Sequence, residues 1–171
     1  MDTSTENVTI NAAFITDILS FYNQDEEYYA DLFELAEGSD LSDPENKVPI
    51  QLYNDLCAWV ENNLGEFNLR QLGRKIGGTV YDGIKQNMEI EGEATPHQMM
   101  EGVCYASKVM VQDPKERGLD IIESEDSAVT IRRTQTFNGT LQIGLLEGLV
   151  GRTNKKRVKA EYLSKVADGA D

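Results

Sequence analysis

What this sequence has little of narrows it before any motif does. Histidine occurs once, as His97, and cysteine twice, as Cys57 and Cys104. A Ser-His-Asp or Cys-His arrangement would have to use His97, and one histidine cannot by itself complete a usual structural zinc site. Neither cysteine stands in a CxxC or CxxH spacing, so no metal site is expected. Both are read as reduced core thiols in helical context, because free cysteine is among the most buried residue types. No apolar run reaches the roughly 18 residues of a membrane helix. The opening MDTSTENVT carries two acids and no base, unlike a secretory leader. A cytoplasmic protein without a membrane partner is expected.

Basic residues are also scarce. Sixteen Lys and Arg face thirty Asp and Glu, a formal charge of −14. The first fifty residues hold twelve acids and one base. Phosphate contacts need a basic patch, so no nucleic-acid partner is expected. The locally basic end, GRTNKKRVKAEYLSK, reads as the solvated face of an edge strand, where lysines block edge-to-edge pairing.

What is present is mostly helical periodicity. A chain of 171 residues suits one domain with a sizeable core; residues 1–10 and 165–171 are expected to be loose. NAAFITDILSFY predicts a helix from Asn11, its cap, to Tyr22, and a second is predicted over Asp25–Glu37, ending at Gly38. Pro49 suits the first turn of a helix to about Asn63. Residues 68–90 form the longest periodic segment, yet contain Gly73, Gly77, Gly78 and Gly83. Each glycine costs on the order of 1 kcal/mol against alanine there, so either a neighbour packs very close or the helix kinks. Thr95-Pro96-His97-Gln98 has the residues of a capping box and predicts a helix to about Val111.

From Arg117 the period changes to two. Leu119–Ser124 and a strand carrying Val129, Ile131, Arg133, Gln135 and Phe137 on one face predict an antiparallel hairpin. A helix after Asn138-Gly139 carries Gly144 and Gly148 as a small-residue ridge, and Lys155–Ser164 predicts a last strand. The fold class expected is α+β: a helical N-terminal two-thirds packed on a small C-terminal antiparallel sheet with one inserted helix.

Candidate chemistry is sparse. Arg133 shares its strand face with apolar neighbours. If that face is the core side, its guanidinium needs a carboxylate or an anionic ligand; if the strand flares outward, it is a surface arginine, and Arg132 points the opposite way. Met99, Met100 and Met110 cluster with Cys104 and Tyr105, as soft pocket walls or as core. No pair of carboxylates has a spacing that singles out an acid and a base. No enzyme activity and no cofactor are expected.

Two stretches together carry a resemblance. Leu32–Gly77, with DPENKVP before a helix and EFNLRQLG opening the next, is similar to ligand-sensing N-terminal domains of arabinose-regulator-type transcription factors. TFNGTLQIGLLEGLVG followed by KRVKAEYL resembles the close of the haem-NO-binding and 4-vinyl-reductase-like superfamily, where strand, helix and final strand complete an α/β sandwich. A myxobacterial family with similar helices and an "LGR" motif shares the layout. The departures are specific. Tyr105-Ala106-Ser107-Lys108 has lysine where the haem signature has arginine, and lies only eight residues after His97, so haem is not carried over. The cysteines of 4-vinyl-reductase-like domains are missing from the C-terminal third. The resemblance implies a stand-alone, bacterial-type sensor or signalling domain. It would bind a small apolar or anionic molecule near Arg133, Met99, Val103, Cys104 and Phe137, or relay a signal to a partner. The alternative is a homodimeric interaction module, with the glycine-bearing helices at the contact.

Overall fold

A computed structural model describes residues 3–125, 128–154 and 158–164. Its helices follow the apolar periodicity closely where that periodicity is long. Helix α3 (Ile50–Leu64) buries Tyr53, Leu56, Cys57 and Val60. Gly65, at φ 92°, turns the chain into α4 (Glu66–Asn87), which runs unbroken through all four glycines. Helix α5 (Pro96–Met110) opens on the anticipated capping box: Thr95 Oγ accepts from Gln98 N at 3.2 Å, while Gln98 Oε1 accepts from Thr95 N at 3.0 Å. Helix α6 (Gly139–Gly151) is capped by Asn138, whose side chain accepts from Leu141 N at 3.0 Å.

Close packing, not a kink, explains the glycines. The contact of α4 with α6 is the most extensive between any two elements. Gly73 and Gly77 of α4 lie against the α6 backbone at Leu141, Leu145 and Leu149, and Gly144 and Gly148 of α6 lie against Arg70 and Arg74 of α4. A methyl group at any of the four would land on a carbonyl oxygen of the partner helix. The seam therefore consumes both ridges inside one chain, so the close approach that a homodimer contact would have used is intramolecular. Glu147 of α6 straddles the seam and accepts from Arg70 Nε at 3.0 Å and Arg74 Nε at 2.9 Å. The Arg70 hydrogen bond, aided by Arg74 and opposed by partial desolvation, holds its carboxyl below the ordinary range.

The α+β class holds, but the sheets are arranged differently from the expectation. Strand β1 (Thr9–Asn11) is the middle strand of a three-stranded antiparallel sheet, between β2 (Lys47–Pro49) and β3 (Val111–Gln112). The lead-in expected to be loose therefore contributes Val8 and Ile10 to the core. Asn11, expected as a helix cap, is a strand residue paired with Lys47, and α1 spans only Ala13–Leu19 behind Ala12. The helix expected over Asp25–Glu37 shrinks to a 3-10 turn (Glu27–Tyr29) and α2 (Ala30–Glu34), because only Leu32 and Ala36 of that stretch reach the core. These strands are two or three residues long, below the length at which alternation can be read.

The second sheet is the anticipated hairpin of β4 (Leu119–Ser124) and β5 (Val129–Arg133), with an irregularity between Ile121 and Glu123 that leaves Ile122 exposed. Strand β5 ends at Arg133, short of Gln135 and Phe137. Of the last strand expected over Lys155–Ser164, residues 158–164 are irregular, and 155–157 lies outside the described residues, as does the 165–171 end. Alternation in VKAEYL is insufficient without a neighbour to supply ladder hydrogen bonds.

The core has two parts. Ile10, Ile15, Ile18, Leu56, Leu69 and Leu141 centre the first. Ile84, Met99 and Leu149 centre the second, with Val129 and Ile131 of the hairpin against it.

Candidate functional site

The residues anticipated as one ligand site fall into separate places: Met99 with Val103 in one, Arg133 with Phe137 in another. Met99 is fully buried in the second core part, with Val103 packed beside it. Phe137 is in the first part, its ring 5.0 Å from that of Tyr53 and 5.6 Å from that of Phe14. Cys104 borders a shallow depression of about 300 Å³ with Tyr105, Lys108 and Ile121, and burial pushes its thiol up. The methionine cluster is thus core rather than pocket wall at Met99 and Met100. Arg133 is half-buried. Its guanidinium donates to the Phe137 carbonyl oxygen at 3.1 Å and to Tyr162 Oη at 3.1 Å, pinning the chain that follows β5.

Arg132, which points the other way, borders the main cleft. This cleft, of about 820 Å³, opens between the last turn of α5, the loop 113–118 and the hairpin. Ser107 and Lys108 come from α5, Asp113, Glu116 and Arg117 from the loop, Asp120 from β4, and Arg132 and Thr134 from β5 and its exit. The loop is tied by its own chemistry. Asp113 Oδ1 accepts from Lys115 N at 2.9 Å, and Glu116 N donates to Asp113 O at 2.9 Å. This tight turn places Glu116 at φ 52°, in the left-handed region.

Arg117 is the loop's anchor. Its Nε donates to Asp113 Oδ2 at 2.7 Å and its Nη2 to Ser4 O at 2.8 Å, tying the loop to the N-terminal segment. The Arg117 and Asp113 side chains are only 7% and 4% exposed, so each charge depends on the other for its solvation. Across the cleft, Thr134 Oγ1 accepts from Gly118 N at 2.9 Å, and Thr134 N donates to Gly118 O at 3.0 Å. Arg132 and Asp120 pair at 3.2 Å with both side chains largely in water.

Three cations (Lys108, Arg117 and Arg132) thus face three acids (Asp113, Glu116 and Asp120), two pairs of which are matched with each other. Lys108 and Glu116 are the charges on the wall outside these pairs. Periodicity missed the cleft because it carries no information on the loop between α5 and the hairpin. The signal available was the DPKERG turn itself, which concentrates four charges and a glycine between two periodic elements.

His97 bridges elsewhere. Its Nδ1 is 2.8 Å from Ser124 Oγ and its Nε2 is 3.4 Å from Glu101 Oε1, which ties the end of β4 to the first turns of α5. The contacts have the order of a catalytic triad, but the His97 and Glu101 side chains are 46% and 49% exposed, and neither cavity includes Ser124 or His97. A general base needs its substrate held in hydrogen-bond reach away from bulk water, and this trio offers no enclosure. Among the described residues, no group of three His, Cys, Asp or Glu could hold a metal ion, and no helix is long and apolar enough to cross a membrane.

No protein-family model matches the chain, and neither a curated protein nor a solved structure is significantly similar to it.

Proposed function

We propose that the protein is a non-catalytic sensor-type binding domain whose small molecule occupies the cleft between α5, the 113–118 loop and the hairpin. The observation that carries this reading is the cleft itself: about 820 Å³, within the range of small-molecule sites, with both signs of charge on its wall. The expected small apolar or anionic ligand gives way to one that carries both charges. A small zwitterion fits best, its carboxylate toward Lys108 and its ammonium toward Glu116. Loop and hairpin both line the cleft, and the loop is joined to Ser4 through Arg117. Occupancy would therefore be felt at the N-terminal segment, which is what a signalling role needs. The resemblance of Leu32–Gly77 to ligand-sensing domains favours the same class, and a cytoplasmic setting goes with it.

Thermal-shift measurements against a panel of free amino acids and related zwitterions test the reading, with native mass spectrometry of the purified protein. A stabilising compound whose effect is lost in Lys108→Ala and in Glu116→Ala is expected. A compound that stabilises both variants as well as the parent protein would place the ligand outside this cleft.

A further inference from the structure

Far along the chain from the cleft-lining residues, aromatic side chains gather at one surface. The ring of Tyr28 is 5.3 Å from that of Tyr29 and 6.2 Å from that of Trp59; Tyr29 lies 6.3 Å from Trp59 and 5.1 Å from Tyr22. The core does not demand Tyr28, which is 58% exposed. It is nevertheless held in place, because its hydroxyl donates to Asn63 O at the end of α3 at 3.2 Å. Four clustered rings, one of them standing well into water, differ from the singly scattered apolar residues of an ordinary surface.

The electrostatic setting selects what would cover them. Residues 1–69 contain fifteen acids and a single base, Lys47. Glu27 and Asp31, both exposed, stand on the same short helical turns as Tyr28 and Tyr29. Ring faces are electron-rich and attract a cation, most strongly where carboxylates add to the field. This chain already makes such contacts internally: Lys75 Nζ lies 5.4 Å from the Phe21 ring centre, and Arg152 lies 4.7 Å from that of Tyr81. Tyr28 packs edge to face against Tyr29 and Trp59, while Tyr29 meets Trp59 and Tyr22 at a tilt, so the exposed Tyr28 offers a ring surface on which a flat group can lie. Guanidinium is flat, stacks on aromatic faces and pairs bidentately with carboxylates. We propose that this face docks an arginine-rich segment of a partner protein.

Trp59 is the only tryptophan and reports on the face directly. The test is titration of the intact protein with a short Arg-Ser repeat peptide, followed by Trp59 emission, with the citrulline version of the peptide as neutral control. A saturable change with the arginine peptide alone is expected. Tyr28→Ala and Tyr28→Leu should each raise the dissociation constant about fivefold or more; Tyr28→Leu keeps apolar bulk and guards against a folding defect. Glu27→Gln should weaken binding more than Glu93→Gln, which removes the same charge on the α4–α5 connection. Equal binding to the Tyr28 variants, equal binding of the citrulline peptide, or equal effects of the two glutamate changes would overturn the proposal, the last by reducing it to diffuse attraction toward a net charge of −14.

Discussion

The α4–α6 seam and the α5–hairpin cleft are built on opposite terms. At the seam, four glycines let two backbones approach until no side chain fits between them, and one carboxylate clasps two arginines over the top. At the cleft, side chains are long and charged, two elements stand apart, and one of the two ion pairs, Arg132–Asp120, is left in water. The seam turns close contact into rigidity, since a packed interior transmits any added atom as strain. The cleft keeps space and exposed charge, which stabilise little but leave room for a ligand. Sequence signals alike in kind, glycine and charge, thus do different work according to whether a second backbone is near.

The sharpest way to break this contrast is to add one methyl group. Gly148→Ala and Gly77→Ala place Cβ on the carbonyl oxygens of Arg74 and Leu145, and each should cost about 3 kcal/mol or more in chemical denaturation. A cost under about 1 kcal/mol would mean that the helices can separate freely. Next comes Glu147→Gln, which should cost about 1–2 kcal/mol at neutral pH, the scale for hydrogen bonds to a charged group with partly exposed partners. Its pH dependence follows from the sign of the shift. The folded-state carboxyl titrates below its ordinary value of 4.5, so its stabilisation is complete above that value and is lost as pH falls through the lower folded one. The parent protein and Glu147→Gln should therefore converge in stability in acid, and curves that stay parallel would contradict the clasp.

Smaller effects probe the open side. Arg132→Ala removes an ion pair whose side chains are both more than half exposed, so unfolding should change by about 0.5 kcal/mol or less while binding of a zwitterion in the cleft weakens. A large stability loss would make the cleft a structural element rather than a site. One further small effect has the opposite sign. At Gly83 of α4 nothing lies within 4 Å of the place an added methyl group would take, and the backbone is ordinary helix. Gly83→Ala should therefore stabilise by about 0.5–1 kcal/mol, read as a small rise in Tm.

Much of the fold was legible where periodic segments are long. The lengths of α3 and α4 and the capping box at Thr95 repeat a local rule that burial then obeys. The close approach behind Gly73 and Gly77 was legible too, as a penalty needing an offset, though not that α6 supplies it. Strands β1, β2 and β3 were not, because their two or three residues pair across separations of about 40 to 100 positions and local pattern carries no register. The site was less legible still. Arg133 and Arg132 are neighbours that β5 sends to opposite faces; alternation predicted the divergence, but which face meets a cavity depends on α5 and the 113–118 loop.

By itself the sequence determined which long segments coil, where α5 and α6 begin, that Gly73, Gly77, Gly144 and Gly148 needed a reason, and how strongly acidic the first third is. These follow from interactions within a few residues or from plain composition. Only the tertiary structure decided that the glycines of α4 and α6 answer each other, that Ile10 lies mid-sheet, that Met99 is core, and that Lys108, Arg117 and Arg132 meet at one cleft. The physical reason is range: capping and periodicity act over one or two helical turns, whereas burial and charge pairing depend on which distant segment the fold brings alongside.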